Sequence, residues 1–267
     1  MPRGRITQFQ KKVLTFYEKN KRILPWRQTI DPYKILLSEF MLQQTQVTRV
    51  IQYYKRWIAR WPTIDALASA SRTEVLQEWM GLGYNTRAVN LHKAAGIIVS
   101  QFQGNVLDAM NHYSAIPGVG KYTSQAVQIF STNADLVTVD TNIRRILIKE
   151  FSLPETISDT DLWMLADRCL PRGNSRDWHN ALMDYGALVL TAQKTGIKPK
   201  TTQPPFKGSD RQIRAKILRM LLQNDATLVT LSNTLHVEQP RLSEIIEKMI
   251  HEEIIVKKRH HYSLKDS

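Results

Sequence analysis

The chain has 267 residues, a formal net charge of +13, 42% hydrophobic residues and a single cysteine. Such a composition indicates one large globular domain, or one domain with a small appendage. No apolar run approaches the roughly 18 residues that a membrane helix needs, and no apolar segment follows the basic N-terminus. We therefore expect no membrane partner, no secretion signal and a cytoplasmic, nucleoid-associated location.

The positive charge points to a polyanionic partner, although a solvated basic surface without a partner would give the same total. The charge is uneven, because residues 1–27 hold eight Lys/Arg and one acidic residue. The sole cysteine, Cys169, excludes an internal disulfide and any cysteine-ligated cluster.

Apolar residues at helical spacing predict helices through the first 200 residues, where period-2 alternation is almost absent. The predicted helices cover 6–22, 33–45, 47–61, 63–68, 71–80, 86–102, 106–113, 118–132, 143–149, 159–170 and 178–191. We expect Asp31 to cap the second of these helices, and Ser71 to form a capping box with Glu74.

The pattern changes after a predicted linker at 201–205. Residues 206–267 predict three short helices (210–223, 228–235 and 239–252) and then a basic hairpin with strands at 254–256 and 262–264. This order is typical of a small winged-helix-like (α+β) domain, which would contact DNA, contact a protein, or only cap and stabilise the fold.

Chemistry is expected in residues 116–146. Pro117, Gly118 and Gly120 predict a tight turn that opens a helix, where backbone amides can approach a phosphate. Asp140 then places one carboxylate between apolar residues and a basic helix. Together they indicate chemistry on nucleic acid, although a purely structural turn would fit the glycines equally well.

Two further features stand out before this stretch. Glu39 interrupts a mostly apolar helix, where a buried carboxylate is costly unless it is paired or functional; an exposed helical glutamate is the alternative. Trp26 beside Arg27 could stack on a base and bond to it, or Trp26 could simply fill the core.

The chain resembles the helix-hairpin-helix (HhH-GPD) DNA glycosylase superfamily, and within it the adenine-specific mismatch glycosylases of the MutY family. The blocks that carry the resemblance are Leu24–Arg27, Ser38–Val47, Gly81–Tyr84, Asn90–Ala95, Ile116–Gly120 and Met183–Ala187. The resemblance implies an all-α, two-lobed fold, with a six-helix barrel lobe at about 30–132 and a second lobe from 1–29 and 133–200. It also implies base flipping in double-stranded DNA that contains a mismatched or damaged pair.

The resemblance implies a catalytic role for four residues. Glu39 matches the general acid that protonates adenine at N7, and Asp140 matches the carboxylate that stabilises the oxocarbenium-like sugar. Asn142 matches a residue that supports this aspartate. Tyr122 stands where bifunctional relatives similar to endonuclease III have a lysine, so we expect a monofunctional enzyme; Lys121 is turned about 100° away around the helix.

The same alignment of motifs implies the DNA contacts. Gln44 and Tyr84 match residues that wedge into the base stack. The further DNA contacts expected are Pro117, Gly118, Val119, Gly120, Lys121 and Arg87, and the expected base pocket is Trp26, Arg27 and Leu42. A monovalent cation on the backbone of 116–120 is a further expectation.

The chain departs from the family's pattern in three places. The segment after the Met183–Ala187 block has no cysteines, so we expect no iron–sulfur cluster and no other cofactor; Lys194, Lys198 and Lys200 would bind phosphate there, or form a loose basic loop. We expect no 8-oxoguanine-reading C-terminal domain of the usual kind, and Asn85 stands where many relatives have a second aromatic residue.

The expected activity is hydrolysis of adenine paired with 8-oxoguanine or guanine, by a monomer. A thymine or uracil glycosylase for T·G and U·G mismatches is the first alternative, because such enzymes share Tyr122 and Asp140. A DNA-binding protein that has lost catalysis is a more remote alternative, against which the intact pair of Glu39 and Asp140 argues.

Overall fold

The computed structural model describes residues 3–199 and 205–265. Most of the predicted linker, and Lys200, lie outside this part of the chain. The helices before the linker are α1 (Arg3–Asn20), α2 (Pro32–Leu42), α3 (Val47–Arg60), α4 (Ile64–Ala68), α5 (Arg72–Trp79), α6 (Thr86–Phe102), α7 (Val106–Asn111), α8 (Lys121–Thr132), α9 (Thr141–Phe151), α10 (Asp159–Arg168), α11 (Ser175–Leu188) and α12 (Ala192–Thr195). No strand occurs in residues 3–199, which confirms the predicted all-α class for this region.

The C-terminal part contains the predicted helices and hairpin. Its elements are α13 (Asp210–Leu221), β1 (Ala226–Thr227), α14 (Leu228–Leu235), α15 (Gln239–His251), β2 (Ile255–Lys258) and β3 (His261–Leu264). The strands form an antiparallel sheet in the order β1-β3-β2, with Ala226 opposite Tyr262 and Ile255 opposite Leu264. The two-residue strand β1 was not predicted, because so short a strand has no detectable alternation.

Local capping explains why most helix starts were predictable from sequence. Asp31 Oδ1 accepts hydrogen bonds from the backbone N–H of Tyr33 at 2.9 Å and of Lys34 at 3.3 Å. Ser71 and Glu74 form the predicted reciprocal capping box at the start of α5. The short helix α12 was missed, since its four residues are too few for periodicity.

The described residues form two compact units, whose boundaries differ from the predicted ones. The first takes its described residues from Met1–Glu39, Val106–Ser114 and Val119–Thr202. The second takes them from Phe40–Asn105, Ala115–Gly118 and Gln203–Ser267. Helices α7 and α8 belong to the first unit because they pack on each other and α8 packs on α11.

The core of the first unit is built on α1, α9, α10 and α11. Phe9 lies edge-on to the rings of Phe151 and Trp178, at centroid distances of 5.2 and 5.4 Å. Burying aromatic side chains of this size is a large part of what stabilises the unit. This core fixes the start of α9, where Asp140 lies.

In the second unit, the residues that follow α15 bond to the start of α5 and to α6. Glu253 forms ion pairs with Lys93, Arg72 and Lys265. Glu252 pairs with Arg214 and accepts a hydrogen bond from Thr86. No described helix is both long and apolar enough to cross a membrane.

Candidate active site

Glu39 lies in the last turn of α2, among residues that are almost completely buried. Leu36, Leu37 and Phe40 are fully buried, whereas Glu39 itself is half-buried. Burial, and then the negative charge of Asp140, raise the pKa of Glu39 to about 7, against the opposing effect of a hydrogen bond from Tyr122. A group with this pKa is a proton donor and acceptor near neutral pH.

Tyr122 is the second residue of α8 and contacts Glu39. Burial and the two nearby carboxylates, Glu39 and Asp140, raise the pKa of the Tyr122 phenol well above its usual value, so it stays neutral and donates to Glu39. The neighbouring Lys121 is exposed, and its Nζ lies 4.3 Å from the ring centroid of Trp163. The amine of Lys121 therefore has surroundings different from those of the phenol.

Asp140 is the N-cap of α9. Its Oδ1 accepts from the backbone N–H of Ile143 at 2.7 Å, and its Oδ2 accepts from Asn142 Nδ2 at 2.8 Å. Burial raises the pKa of Asp140, while these hydrogen bonds and the charge of Arg145 oppose the rise. The carboxylate is thus held in one orientation by groups that favour its ionised form.

Asn142 is itself held by a residue one turn further along α9. Its Oδ1 accepts from an Arg145 guanidinium nitrogen at 2.6 Å, and Arg145 Nε donates to the carbonyl of Leu190 at 2.7 Å. A Cβ atom at Gly186 would lie only 3.2 Å from the Cβ of Asn142. The glycine of the Met183–Ala187 block therefore lets α11 approach α9 closely.

The segment that leads into Asp140 is anchored by His179. The backbone N–H of Thr138 donates to His179 Nε2 at 3.1 Å, and His179 Nδ1 donates to the carbonyl of Ser175 at 2.7 Å. Burial lowers the pKa of His179 to about 4, so the ring stays neutral and keeps this tautomer at neutral pH.

These contacts bring together all four residues predicted for catalysis: Glu39, Tyr122, Asp140 and Asn142. The two carboxylates differ in their surroundings, since Asp140 has three hydrogen-bond or charge partners and Glu39 has one neutral phenol. Such a difference lets one carboxyl hold a proton while the other is an anion. The arrangement suits protonation of one atom and stabilisation of positive charge on another.

The predicted phosphate-binding turn precedes α8. Gly118 has φ of 77°, and a Cβ there would lie 2.8 Å from the Phe40 ring and 3.0 Å from Asn90, so the position requires glycine. Gly120 is the N-cap of α8 and is exposed, as Gly118 is. Val119 between them is buried, so its side chain is not available to a ligand.

Comparison with known proteins assigns the family. A model of the HhH-GPD superfamily of base excision DNA repair proteins matches residues 37–165, which include Glu39, Tyr122 and Asp140. The adenine DNA glycosylase of Mycolicibacterium smegmatis is 37% identical over 239 residues, covering 82% of this chain and 81% of the relative. The chain belongs to the HhH-GPD superfamily. The adenine DNA glycosylase of Homo sapiens is 36% identical over 202 residues, covering 71% of this chain and 37% of the human protein.

Solved structures of the HhH-GPD superfamily have the same fold. A thermostable thymine-DNA glycosylase is 28% identical, with a TM-score of 0.66, covering 73% of this chain and 94% of that one. An endonuclease III from a complex with DNA has a TM-score of 0.64 at 17% identity, covering 75% of this chain and 91% of that one.

Arg27, predicted to line the base pocket, is instead held inside the first unit. Its two terminal nitrogens donate to Oδ2 and Oδ1 of Asp184, each at 2.9 Å. Arg22 Nε adds a bond to Asp184 Oδ1 at 2.6 Å. The guanidinium of Arg27 is therefore committed to a fully buried carboxylate and is not free for a base. Trp26 is 8% exposed, as expected of a core residue, and Leu42 is half-buried at the end of α2.

Arg87, predicted to bind DNA, is also buried. Its Nη1 donates to the carbonyls of Phe40, Met41 and Gln43. Its Nη2 donates to the carbonyls of Leu82 and Gly83 and to Thr45 Oγ1. Desolvation lowers its pKa to about 10, so it remains a cation. Arg87 thus ties the end of α2 to the turn before α6 and does not offer its charge to a phosphate.

Gln44 and Tyr84, predicted to enter the base stack, lie in the two loops that Arg87 ties together. Both have backbone angles in the left-handed region, with φ of 56° and 48°. This conformation is uncommon for residues with a side chain and often marks a functional position. Gln44 is exposed and Tyr84 is half-buried.

In the segment where most of the family holds a cluster, α12 and Ile197 provide the local packing. Thr191 caps α12 by accepting from Lys194 N at 3.2 Å, and Ile197 is 7% exposed in the core. Lys194 and Lys198 are exposed.

Cys169 is buried, and desolvation raises the pKa of its thiol to about 12. The described residues contain no group of three or more His, Cys, Asp or Glu side chains that could hold a metal.

Sequence reasoning missed Asp184, Arg145 and Arg211 as supporting residues. Asp184 lay within a recognised block, and Arg145 follows Asn142 by three residues, which is contact spacing on a helix. Arg211 donates to Tyr84 Oη at 2.7 Å across 127 residues of sequence, and no local pattern signals such a contact.

Proposed function

We propose that this protein is a monofunctional DNA glycosylase, which hydrolyses the bond between adenine and deoxyribose where adenine is paired with 8-oxoguanine or guanine. The observation that carries the proposal is the pairing of a protonatable Glu39 with a hydrogen-bonded Asp140. The 36–37% identity to adenine DNA glycosylases supports adenine as the base.

Glu39 supplies the proton. With a pKa of about 7, a large fraction of Glu39 is protonated at neutral pH and can donate to N7 of adenine. Protonation allows the electron pair of the C1′–N9 bond to leave with the base. Tyr122 donates to the carboxylate that remains and so stabilises it after proton transfer.

Asp140 supplies the negative charge. As the bond breaks, positive charge develops on C1′ and the ring oxygen of the sugar, and a fixed carboxylate nearby lowers the energy of that state. A water molecule then attacks C1′, and its proton returns to the Glu39 carboxylate. The products are free adenine and an abasic site. Asn142 and Arg145 keep the carboxylate oriented without neutralising it.

Tyr122 supports a reaction without strand cleavage. A lyase needs an amine that forms a Schiff base at C1′, and the phenol of Tyr122 cannot form one. The nearest amine in sequence, Lys121, stacks on Trp163.

The charge of +13 and the turn of residues 116–120 support binding of duplex DNA. Because a stacked base is out of reach, the adenine must be extruded, and Gln44 and Tyr84 are the residues we assign to the space that it leaves. We further propose that the protein acts as a monomer and without an iron–sulfur cluster, since such a cluster requires several thiolates and the sequence has one cysteine. Iron analysis of the purified protein tests the last point.

Single-turnover excision on four labelled duplexes tests the activity. The duplexes contain A opposite 8-oxoguanine, A opposite G, T opposite G and U opposite G, each assayed with and without alkali. We expect adenine release that becomes visible as strand breaks only after alkali.

Release of thymine or uracil instead would assign the protein to the mismatch-pyrimidine branch. The structural similarity to a thymine-DNA glycosylase makes this the alternative to exclude first. Strand breaks without alkali would contradict the monofunctional assignment.

A further inference from the structure

The turn that precedes α6 is under local strain. Gly81, Gly83 and Tyr84 all have positive φ, at 103°, 78° and 48°. Glycine adopts such angles freely, whereas Tyr84 does so at a cost that the surroundings must offset. Six hydrogen bonds from Arg87, five to backbone carbonyls and one to Thr45 Oγ1, connect this turn with the end of α2 and the loop after it.

The side chain of Tyr84 is held by a second arginine, which comes from the C-terminal part of the chain. Arg211, in the first turn of α13, donates to Tyr84 Oη at 2.7 Å. The guanidinium carbons of Arg211 and Arg87 lie 5.4 and 5.6 Å from the centre of the Tyr84 ring. Tyr84 is therefore held through its hydroxyl group and through its ring.

The helix that carries Arg211 is connected to α6 through Glu252, independently of Tyr84. Arg214, three residues later and on the same side of α13, forms an ion pair with Glu252, which also accepts from Thr86. Glu253 pairs with Lys93 and Arg72. These contacts fix α13 beside the strained turn, so the position of Arg211 does not depend on Tyr84 alone.

We propose that Arg211 is a positioning residue that holds Tyr84 ready for entry into the duplex, which makes the C-terminal domain part of the base-extrusion apparatus. The proposal rests on the proposed function, in which Tyr84 occupies the space left by the extruded base. A side chain that is already ordered loses less conformational entropy when it inserts. Without Arg211, Tyr84 must be ordered during insertion, and extrusion becomes less favourable while contacts with phosphate are unchanged.

A double-mutant cycle tests this coupling. The variants are Arg211→Ala, Arg211→Lys, Tyr84→Phe, which removes only the hydroxyl group, and Arg211→Ala with Tyr84→Phe. Arg219→Ala is the matched control, because Arg219 is an exposed arginine on the same helix. Each is compared with wild type in thermal unfolding, in affinity for undamaged duplex and in single-turnover adenine release.

Extrusion is measured separately from chemistry, in an Asp140→Asn background, by the fluorescence of 2-aminopurine placed next to the target adenine. We expect Arg211→Ala to reduce the fluorescence rise and the release rate about tenfold, and the affinity for undamaged duplex less than threefold. Arg211→Lys should recover most of the loss. In the Tyr84→Phe background, Arg211→Ala should have a much smaller effect.

The proposal would be overturned if Arg211→Ala reduced the extrusion signal and the release rate equally in the wild-type and Tyr84→Phe backgrounds. It would also be overturned if Arg211→Ala and Arg219→Ala reduced them equally. If Arg211→Ala does not fold, Tyr84→Phe takes its place, since it removes the hydroxyl group that Arg211 holds, and a full extrusion signal and release rate in Tyr84→Phe would overturn the proposal. The wild-type protein could also release no adenine while its extrusion signal still depends on Arg211. That result would reject the proposed adenine specificity but would leave the role of Arg211 standing.

Discussion

Two carboxylates in the first compact unit show what a protein gains from pairing a buried charge or leaving it unpaired. Asp184 is fully buried and receives hydrogen bonds from Arg22 and Arg27, which hold its pKa below the usual value despite burial. Glu39 has no cationic partner in the described structure, and burial with the charge of Asp140 raises its pKa to about 7. Asp184 is thus permanently ionised and structural, whereas Glu39 can exchange a proton near neutral pH.

The comparison shows that cationic partners, more than burial, decide whether a carboxylate has a structural or a catalytic role. Both side chains come from recognised sequence blocks, and desolvation acts to raise the pKa of both. Asp184 holds chain segments together through ion pairs. The ionised form of Glu39 is destabilised, so its pKa is high enough for an acid catalyst.

The largest effect is expected from Asp140→Asn. Asparagine also caps helices, so α9 should keep its start, but the negative charge opposite the developing cation is lost. We expect the single-turnover rate to fall about 10³-fold or more, with duplex affinity and thermal unfolding close to wild type. Full excision activity in this variant would remove Asp140 from the mechanism.

Asp184→Asn tests the structural role of the paired carboxylate. Two half-buried guanidinium groups would lose their fully buried counter-charge, and breaking such a network costs about 3–5 kcal/mol. Chemical denaturation measures the loss, with Asp177→Asn as the control, since Asp177 is exposed on the same helix. A loss below about 1 kcal/mol would contradict the structural role given to Asp184.

In contrast to Asp184→Asn, Glu39→Gln should lower activity without lowering stability. We expect adenine release to fall about 10²-fold, while the free energy of unfolding at pH 8 stays equal or rises. The reason is that a raised pKa means the folded protein binds the proton more tightly than the unfolded chain does. Glu39 therefore lowers stability as pH rises from its unfolded pKa near 4.5 to about 7. A clearly destabilised Glu39→Gln at pH 8 would show that the ionised group is well paired.

The same pKa predicts the pH profile of the reaction. Glu39 must carry its proton, so the single-turnover rate should decrease about tenfold per pH unit above pH 7. This decrease should disappear in Glu39→Gln. A rate that stays constant from pH 6 to pH 9 would conflict with the assignment of the acid.

The smallest effect is expected from Lys121→Gln. Its amine lies on the Trp163 ring and has no chemical role, so release should change less than twofold. Wild-type protein should also give no covalent DNA adduct when borohydride is added. A trapped adduct that disappears in Lys121→Gln would establish lyase chemistry through this residue.

Local physical rules made much of this protein predictable. Helical periodicity and capping gave the helices from α1 to α11 to within a few residues, with α6 at its observed bounds. The resemblance to the glycosylase superfamily named Glu39, Tyr122, Asp140 and Asn142 as candidates, and these residues contact one another or share partners.

By itself the sequence determined which segments are helical, because helix formation depends on neighbours a few residues apart. It also set the residue types of the candidate active site, including the absence of a lysine at position 122. Only the tertiary structure decided the roles of Arg27, Arg87 and Arg211. Their partners are Asp184, the carbonyls after Glu39 and the hydroxyl of Tyr84, which lie 157, about 45 and 127 residues away. The sequence around an arginine looks the same whether the side chain binds DNA or a buried carboxylate. The role is set by a partner that is distant in sequence.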